Sequence, residues 1–211
     1  MKQWLKNVSF MILLLKSCIL LCQNLDTKKI VVIDPGHGGK DSGAIGINGI
    51  QEKDVALNIA NAILKLNDEL DKTLDIYLTR HTDTLISISD RTKLAKVLKA
   101  DLFVSLHCNH SDNSGARGIE IYVAGATSKY SDDATWLAFQ LQAALNKQLG
   151  YKSRGVKFAN FQVLRETVNH CPSLLLELGF LSNWDENRYL SNSNRIKIIA
   201  YLIYESIKYK R

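Results

Sequence analysis

The chain has 211 residues, 46% of them hydrophobic and 23% charged, with a formal net charge of +6. That balance suits a folded domain with a real core and excludes a disordered or collagen-like chain. No Lys/Arg stripe or aromatic ladder accompanies the positive charge, so nucleic acid is not an expected partner.

Residues 1–23 read apart from the rest. Lys2 and Lys6 precede the apolar stretch Val8 to Leu21, with Lys16 inside it. A basic start with a short apolar centre is the pattern of an export signal, and the centre is short for a membrane span. Cleavage near Cys22 to Asn24 is expected, leaving residues 24–211 as one domain with no transmembrane helix. Lipidation at Cys22 is the lesser alternative, because Leu21 before it is bulky. Loss of Lys2, Lys6 and Lys16 lowers the net charge from +6 to +3, mildly basic and suited to an anionic polymer such as a cell wall. With two prolines and no Ser/Gly tract, no flexible linker is expected. The reading is of an exported monomer.

The elements then follow in order. Ile30 to Ile33 is a β-branched run closed by Asp34 and Pro35, a buried strand entering a Gly-rich loop that carries His37. Lys53 to Leu66 has helical spacing at Val55, Ile59, Ala62, Ile63 and Leu66, with Glu52 at its start, where the helix dipole favours an anion. Leu74 to Leu78 alternates as a second strand and meets a polar cluster in which Arg80 and Asp83 are candidates to pair. Ile88 to Leu98 is a second helix with Ser89 as cap, and Arg91 in its first turn is either a surface charge or a substrate-facing cation. Asp101 to His107 is the third strand. Gly118 to Val123 is the fourth, with Glu120 turned outward or supporting a ligand.

Ser131 to Gly150 is a third helix, on which Trp136 and Phe139 are expected to pack. Tyr151 to Asn160 reads as a basic loop with Lys152, Arg154 and Lys157, and Phe161 to Arg165 as a fifth strand. Ser173 to Leu178 is the last strand. Asn183 can cap a short helix through Tyr189, and Asn194 to Lys208 is a closing amphipathic helix. Cys108 and Cys171 read as buried, unpaired thiols.

Three of the apolar runs end in or just before an ionisable residue: His37, His107 and Glu177. Burying such groups costs several kcal/mol unless they find partners. In open α/β sheets the carboxyl ends of the strands are where ligands bind. His37, Glu52 and His107 make a two-His, one-carboxylate set, the donors of an open catalytic zinc site, with Glu177 left as a base beside the metal. Against this, Glu52 alone could be a helix-start carboxylate and His107 a structural histidine. For His110 a solvated position is the better reading.

The motifs IDPGHGG (Ile33–Gly39), LTRHTD (Leu78–Asp83), SLHCNH (Ser105–His110), GIEIY (Gly118–Tyr122), RGVK (Arg154–Lys157), VLR (Val163–Arg165) and PSLLLELGFLSN (Pro172–Asn183) run in one order along the chain. In them, and in Glu52 opening a helix, the chain resembles the zinc-dependent N-acetylmuramoyl-L-alanine amidases of bacterial cell-wall turnover (the amidase-3 catalytic domain). The resemblance implies a three-layer α/β/α fold around a mixed, mostly parallel sheet of about six strands. It implies Zn2+ held by His37, Glu52 and His107, with Glu177 as catalytic acid/base. The implied substrate is peptidoglycan, cut between the lactyl group of N-acetylmuramic acid and L-alanine of the stem peptide, in the periplasm or cell wall. Arg91, Arg80 and Asn109 are the candidates for substrate contact. Some cell-division members carry a helix after the fourth strand that covers the zinc; here Val123 leads almost directly to Ser131, so an open site is expected. The rival readings are another zinc hydrolase of peptidoglycan, such as a peptidase or deacetylase, and a non-catalytic wall-binding or regulatory domain.

Overall fold

The computed structural model describes residues 28–70 and 72–208. The stretch expected to be an export signal, with its expected cleavage site, lies outside the described residues. Six strands form one sheet: β1 (Lys29–Pro35), β2 (Leu74–Leu78), β3 (Leu102–Asn109), β4 (Ile119–Ala124), β5 (Ser153–Ala159) and β6 (Ser173–Phe180). Their order is β2-β1-β3-β6-β4-β5, parallel except that β4 runs antiparallel to β6. Among the described residues six helices complete the fold: α1 (Glu52–Glu69), α2 (Ile88–Leu98), α3 (Ser131–Leu149), α4 (Gln162–Thr167), α5 (Trp184–Leu190) and α6 (Ser193–Lys208).

Strand alternation divides the core. Val31 and Ile33 of β1 face one side with Val104, Leu106, Leu174 and Leu176, where Ile59 and Ile63 of α1, Leu141 and Leu145 of α3, and Ile199 and Ile203 of α6 cover them. Val32, Phe103 and Leu175 face the other side, under Ala95 of α2 and Leu164 of α4. Both faces are covered, which is why these strands read as continuous apolar runs rather than alternating ones. The second cover is smaller. It leaves the carboxyl ends of β1, β3 and β6 open on that face, and there the side chains turn polar.

The helix ends follow their local chemistry. Glu52 and Asp54 sit in the first turn of α1, where backbone N–H groups and the dipole favour negative charge. The cap of α2 is Ser87, not Ser89: its Oγ accepts from the Asp90 N–H at 3.1 Å and donates to the Asp90 carboxylate at 2.6 Å. Asn183 caps α5 as expected, accepting from the Glu186 N–H. Gly150 ends α3 in the left-handed region at φ 70°, as a glycine can at little cost.

Two segments exchange roles relative to expectation. Ser153–Ala159, expected as loop, is edge strand β5, while Phe161–Arg165, expected as strand, lies in the N-cap and first turns of α4. An edge strand needs only one paired side and tolerates charge along its length. The run Gln162–Thr167 instead buries Val163, Leu164 and Thr167 at helical spacing. Trp136 and Phe139 are not core residues either; both are exposed and stack on each other with centroids 6.3 Å apart. Cys108 and Cys171 are buried free thiols, as expected. The connection from β4 to α3 is residues 125–130, with no helix in it. Among the described residues, no helix is long and apolar enough to cross a membrane.

Candidate metal centre

The register of the sheet aligns the polar residues. Pro35 pairs with Leu106, His107 with Glu177, and Glu177 with Glu120. Gly36, His107, Glu177 and Glu120 thus form a row across the open face at its carboxyl end. Gly36 is required there by close approach: a Cβ would meet His107 Cε1 at 2.3 Å.

His37 follows Gly36 on a tight loop and takes φ 58°, an uncommon region for a residue with a side chain. Two arginines hold that loop. Arg80 donates to the carbonyls of Pro35 (3.0 Å), Gly36 (2.8 Å) and Lys53 (2.8 Å). Arg91 donates to the carbonyls of Pro35 (2.7 Å) and His37 (2.6 Å) and pairs with Asp34 at 2.7 Å. Their exposure is 3% and 4%, so neither is a surface charge; both guanidiniums fix the backbone that aims His37, and Arg91 also lines the cleft beside it. Nor does Arg80 pair with Asp83, whose carboxylate takes Lys53 at 2.7 Å and the Gly39 N–H at 2.7 Å.

Asp34 is the anchor of this support. It is fully buried and also accepts from Thr79 (2.6 Å) and Ser105 (2.8 Å). Breaking a buried ion pair from one side costs about 3–5 kcal/mol, because the other charge is left unpaired. Asp34→Ala is therefore expected to lower the denaturant midpoint by that order of stability, with an unchanged slope.

The three donors expected from sequence come together. Glu52 reaches over from the start of α1; its Oε1 lies 3.1 Å from His37 Nε2 and 2.8 Å from His107 Nδ1. One ligand atom from each residue lies within 4.8 Å of the others. Ligands of tetrahedral zinc at about 2.0–2.2 Å stand roughly 3.3 Å from each other, so the set can close on one ion with small movements. Backbone N–H groups aim the carboxylate: Cys108 donates to Oε1 at 3.0 Å and Ala44 to Oε2 at 2.8 Å. Asp41, not singled out from sequence, lies 2.9 Å from His37 Nδ1, the partner that orients a metal-binding imidazole. Its position four residues after His37 was the available signal.

Without metal these groups hold one another by charge. Burial works to lower the His37 imidazole, but hydrogen bonds and charge from Glu52 and then Asp41 outweigh it and raise it to about 9. His107 is raised in the same way by Glu52 against burial. For Glu52, burial is opposed and overcome by the two histidines, which pull its carboxyl far below the usual range.

Glu177 differs. Its Oε2 is buried with no hydrogen-bond partner, and burial lifts its carboxyl to about 7, with the His107 charge opposing. A carboxylate poised near neutrality is suited to taking and returning a proton. A buried oxygen without a partner beside a two-His, one-carboxylate donor set fits a site built to hold a metal. Asn109, a candidate substrate contact, instead donates to Glu120 at 2.6 Å. Exposed His110 makes no part of the centre.

A cleft of about 630 Å³ adjoins the centre. Asp34, His37, Arg91 and His107 line it, with apolar walls from Leu85, Ile86, Ile88 and Phe161. A larger hollow of about 1050 Å³, lined by Lys99, Asp101, Tyr130 and Pro172, lies at the opposite strand ends and holds none of these groups. Chemistry, not size, selects the first.

The crowding gives a test that deletes no ligand. Gly36→Ala drives a methyl into the His107 ring, so zinc affinity is expected to fall about 10–100-fold, the range seen when groups that orient a ligand are lost. Competition with a chromogenic chelator would read it.

The profile of the N-acetylmuramoyl-L-alanine amidase family matches residues 31–209. The amidase LytC of Bacillus subtilis is 38% identical over 172 residues, covering 81% of this chain and 32% of its own length. CwlM of Bacillus licheniformis is 36% identical, covering 81% of this chain and 64% of its own. The chain thus spans about one third to two thirds of these curated relatives. Among solved structures, an N-acetylmuramoyl-L-alanine amidase of Clostridium difficile 630 superposes with a TM-score of 0.78 at 33% identity, over 85% of this chain and 95% of that one. The catalytic domain of CwlV from Bacillus (Paenibacillus) polymyxa gives 0.76 at 37% identity, over 85% and 96%.

Proposed function

The chain belongs to the N-acetylmuramoyl-L-alanine amidase family, and from that premise we propose that it hydrolyses peptidoglycan at the amide joining N-acetylmuramic acid to L-alanine of the stem peptide. The observation that carries the reading is a two-His, one-carboxylate set with an unpartnered glutamate beside it on the same sheet face.

His37, Glu52 and His107 would hold zinc. The ion would supply Lewis-acid activation of water and of the scissile carbonyl. Asp41 keeps His37 in one orientation, and the Ala44 and Cys108 N–H groups do the same for Glu52. Glu177 takes the proton of the attacking water and passes it to the departing alanine amine. No hydrogen bond to Oε2 holds the carboxyl in its charged form, and burial lifts it to about 7, so it can take up and return a proton. His37 and His107, partly exposed at 24% and 19%, leave a solvent side by which substrate enters. Residues 1–23 would direct the chain out of the cytoplasm, to act in the periplasm or at the wall.

The test is mass analysis of muropeptides digested by the purified protein. An amidase releases intact stem peptide with a free alanine amine and leaves an intact glycan. Shortened stems would identify a peptidase, and loss of acetyl groups a deacetylase.

A further inference from the structure

The polar row on the open face does not end at Glu177. Glu120 stands opposite it on β4 and is only 2% exposed. A carboxylate so far from water needs cations and donors around it. Lys157 pairs with its Oε2, Arg154 Nε lies 3.3 Å from its Oε1, and Asn109 donates to Oε1 at 2.6 Å.

The carboxylate is sealed, but the cations are not. The Lys157 side chain is 38% exposed and that of Arg154 32%. Tyr122 places its ring 5.7 Å from the ammonium, and Phe180 places its ring 5.0 Å from the guanidinium. Aromatic faces attract a cation without occupying its N–H groups. An ammonium has three donors and a guanidinium five, so one buried carboxylate does not exhaust them.

We propose that Lys157 and Arg154, clamped by Glu120, form a subsite for a carboxylate on the peptide side of the scissile amide. The subsite rests on the amidase reading. In a muramyl peptide the lactyl carboxyl is spent in the amide, so the remaining carboxylates belong to the peptide. Strands lie about 4.8 Å apart, so β5 is roughly 10 Å from Glu177 on β6. An extended peptide spans about 3.3–3.6 Å per residue, which puts the bound carboxylate within the first three residues. The peptide then runs over β4 toward β5, and the glycan lies along the apolar cleft by Leu85, Ile88 and Phe161. Glu120 is a positioning residue in this scheme.

The experiment compares two synthetic muramyl peptides that differ only in free or amidated peptide carboxyls. Cleavage by the zinc-loaded protein gives kcat and KM; calorimetry with the free peptides gives binding. The wild type is expected to favour the free acid at least tenfold, chiefly in KM. Lys157→Gln and Arg154→Gln should bring that ratio toward one with zinc content unchanged, while Lys147→Gln, which removes a charge from α3, keeps it. Equal handling of both peptides by the wild type, or an equal loss on both in Lys157→Gln, overturns the subsite. If neither peptide is cleaved but the free acid binds and Lys157→Gln abolishes that preference, the amidase reading fails and the carboxylate site stands. If neither is cleaved nor bound, both fall.

Discussion

Glu177→Ala is expected to keep one zinc per chain and to lose turnover by about 10²–10⁴-fold, the contribution of a positioned general acid/base. The side chain is no ligand in the set that closes on the ion, so metal content should not change. It also accepts no side-chain hydrogen bond through Oε2, so its loss orphans no partner there. Removing a buried carboxyl whose charged form is disfavoured by burial should leave stability unchanged or raised. Full zinc, intact fold and absent turnover together assign a chemical role. Wild-type rates from the variant would remove Glu177 from the mechanism.

His37→Ala should do the opposite: it is expected to lose zinc on dialysis, and activity with it. The fold should persist, since Glu52 keeps His107 and the N–H groups of Ala44 and Cys108. The same residue sets the pH dependence of metal binding. At pH 7 its imidazole, raised to about 9, carries a proton that zinc must displace. Zinc affinity should rise about tenfold per pH unit for each displaced proton, with the His37 share levelling off above about 9. Calorimetry in two buffers of different ionisation heat would detect the proton. The sign reverses for stability of the metal-free protein. His37's share is complete below 6.5 and fades as pH climbs through about 9. Glu52's share is complete above 4.5 and is lost in acid.

The donor set was legible because its residues close long apolar runs. A buried strand announces itself over five or six residues, and an imidazole or carboxylate at its end has few bland explanations. The second cluster was not legible. β5 is an exposed edge carrying Arg154, Gly155 and Lys157, so it has neither the alternation nor the apolar content by which strands are read. Glu120 could not be interpreted without it, since its cations come from that strand. Phe161–Arg165 is too short for periodicity to separate strand from helix. Arg80 and Arg91 resemble exposed cations in sequence because their acceptors are carbonyls of Pro35, Gly36 and His37, some 44 to 56 residues earlier. Their burial is a tertiary fact that serves the site indirectly, by fixing the loop on which His37 stands.

X-ray absorption at the zinc edge of the purified, metal-replete protein probes the centre itself. Four light-atom neighbours at about 2.0–2.2 Å, with the scattering of two imidazoles, is the predicted spectrum. Sulfur at about 2.3 Å, which would bring in Cys108 or Cys171, or a shell with fewer than two imidazoles, would contradict the account.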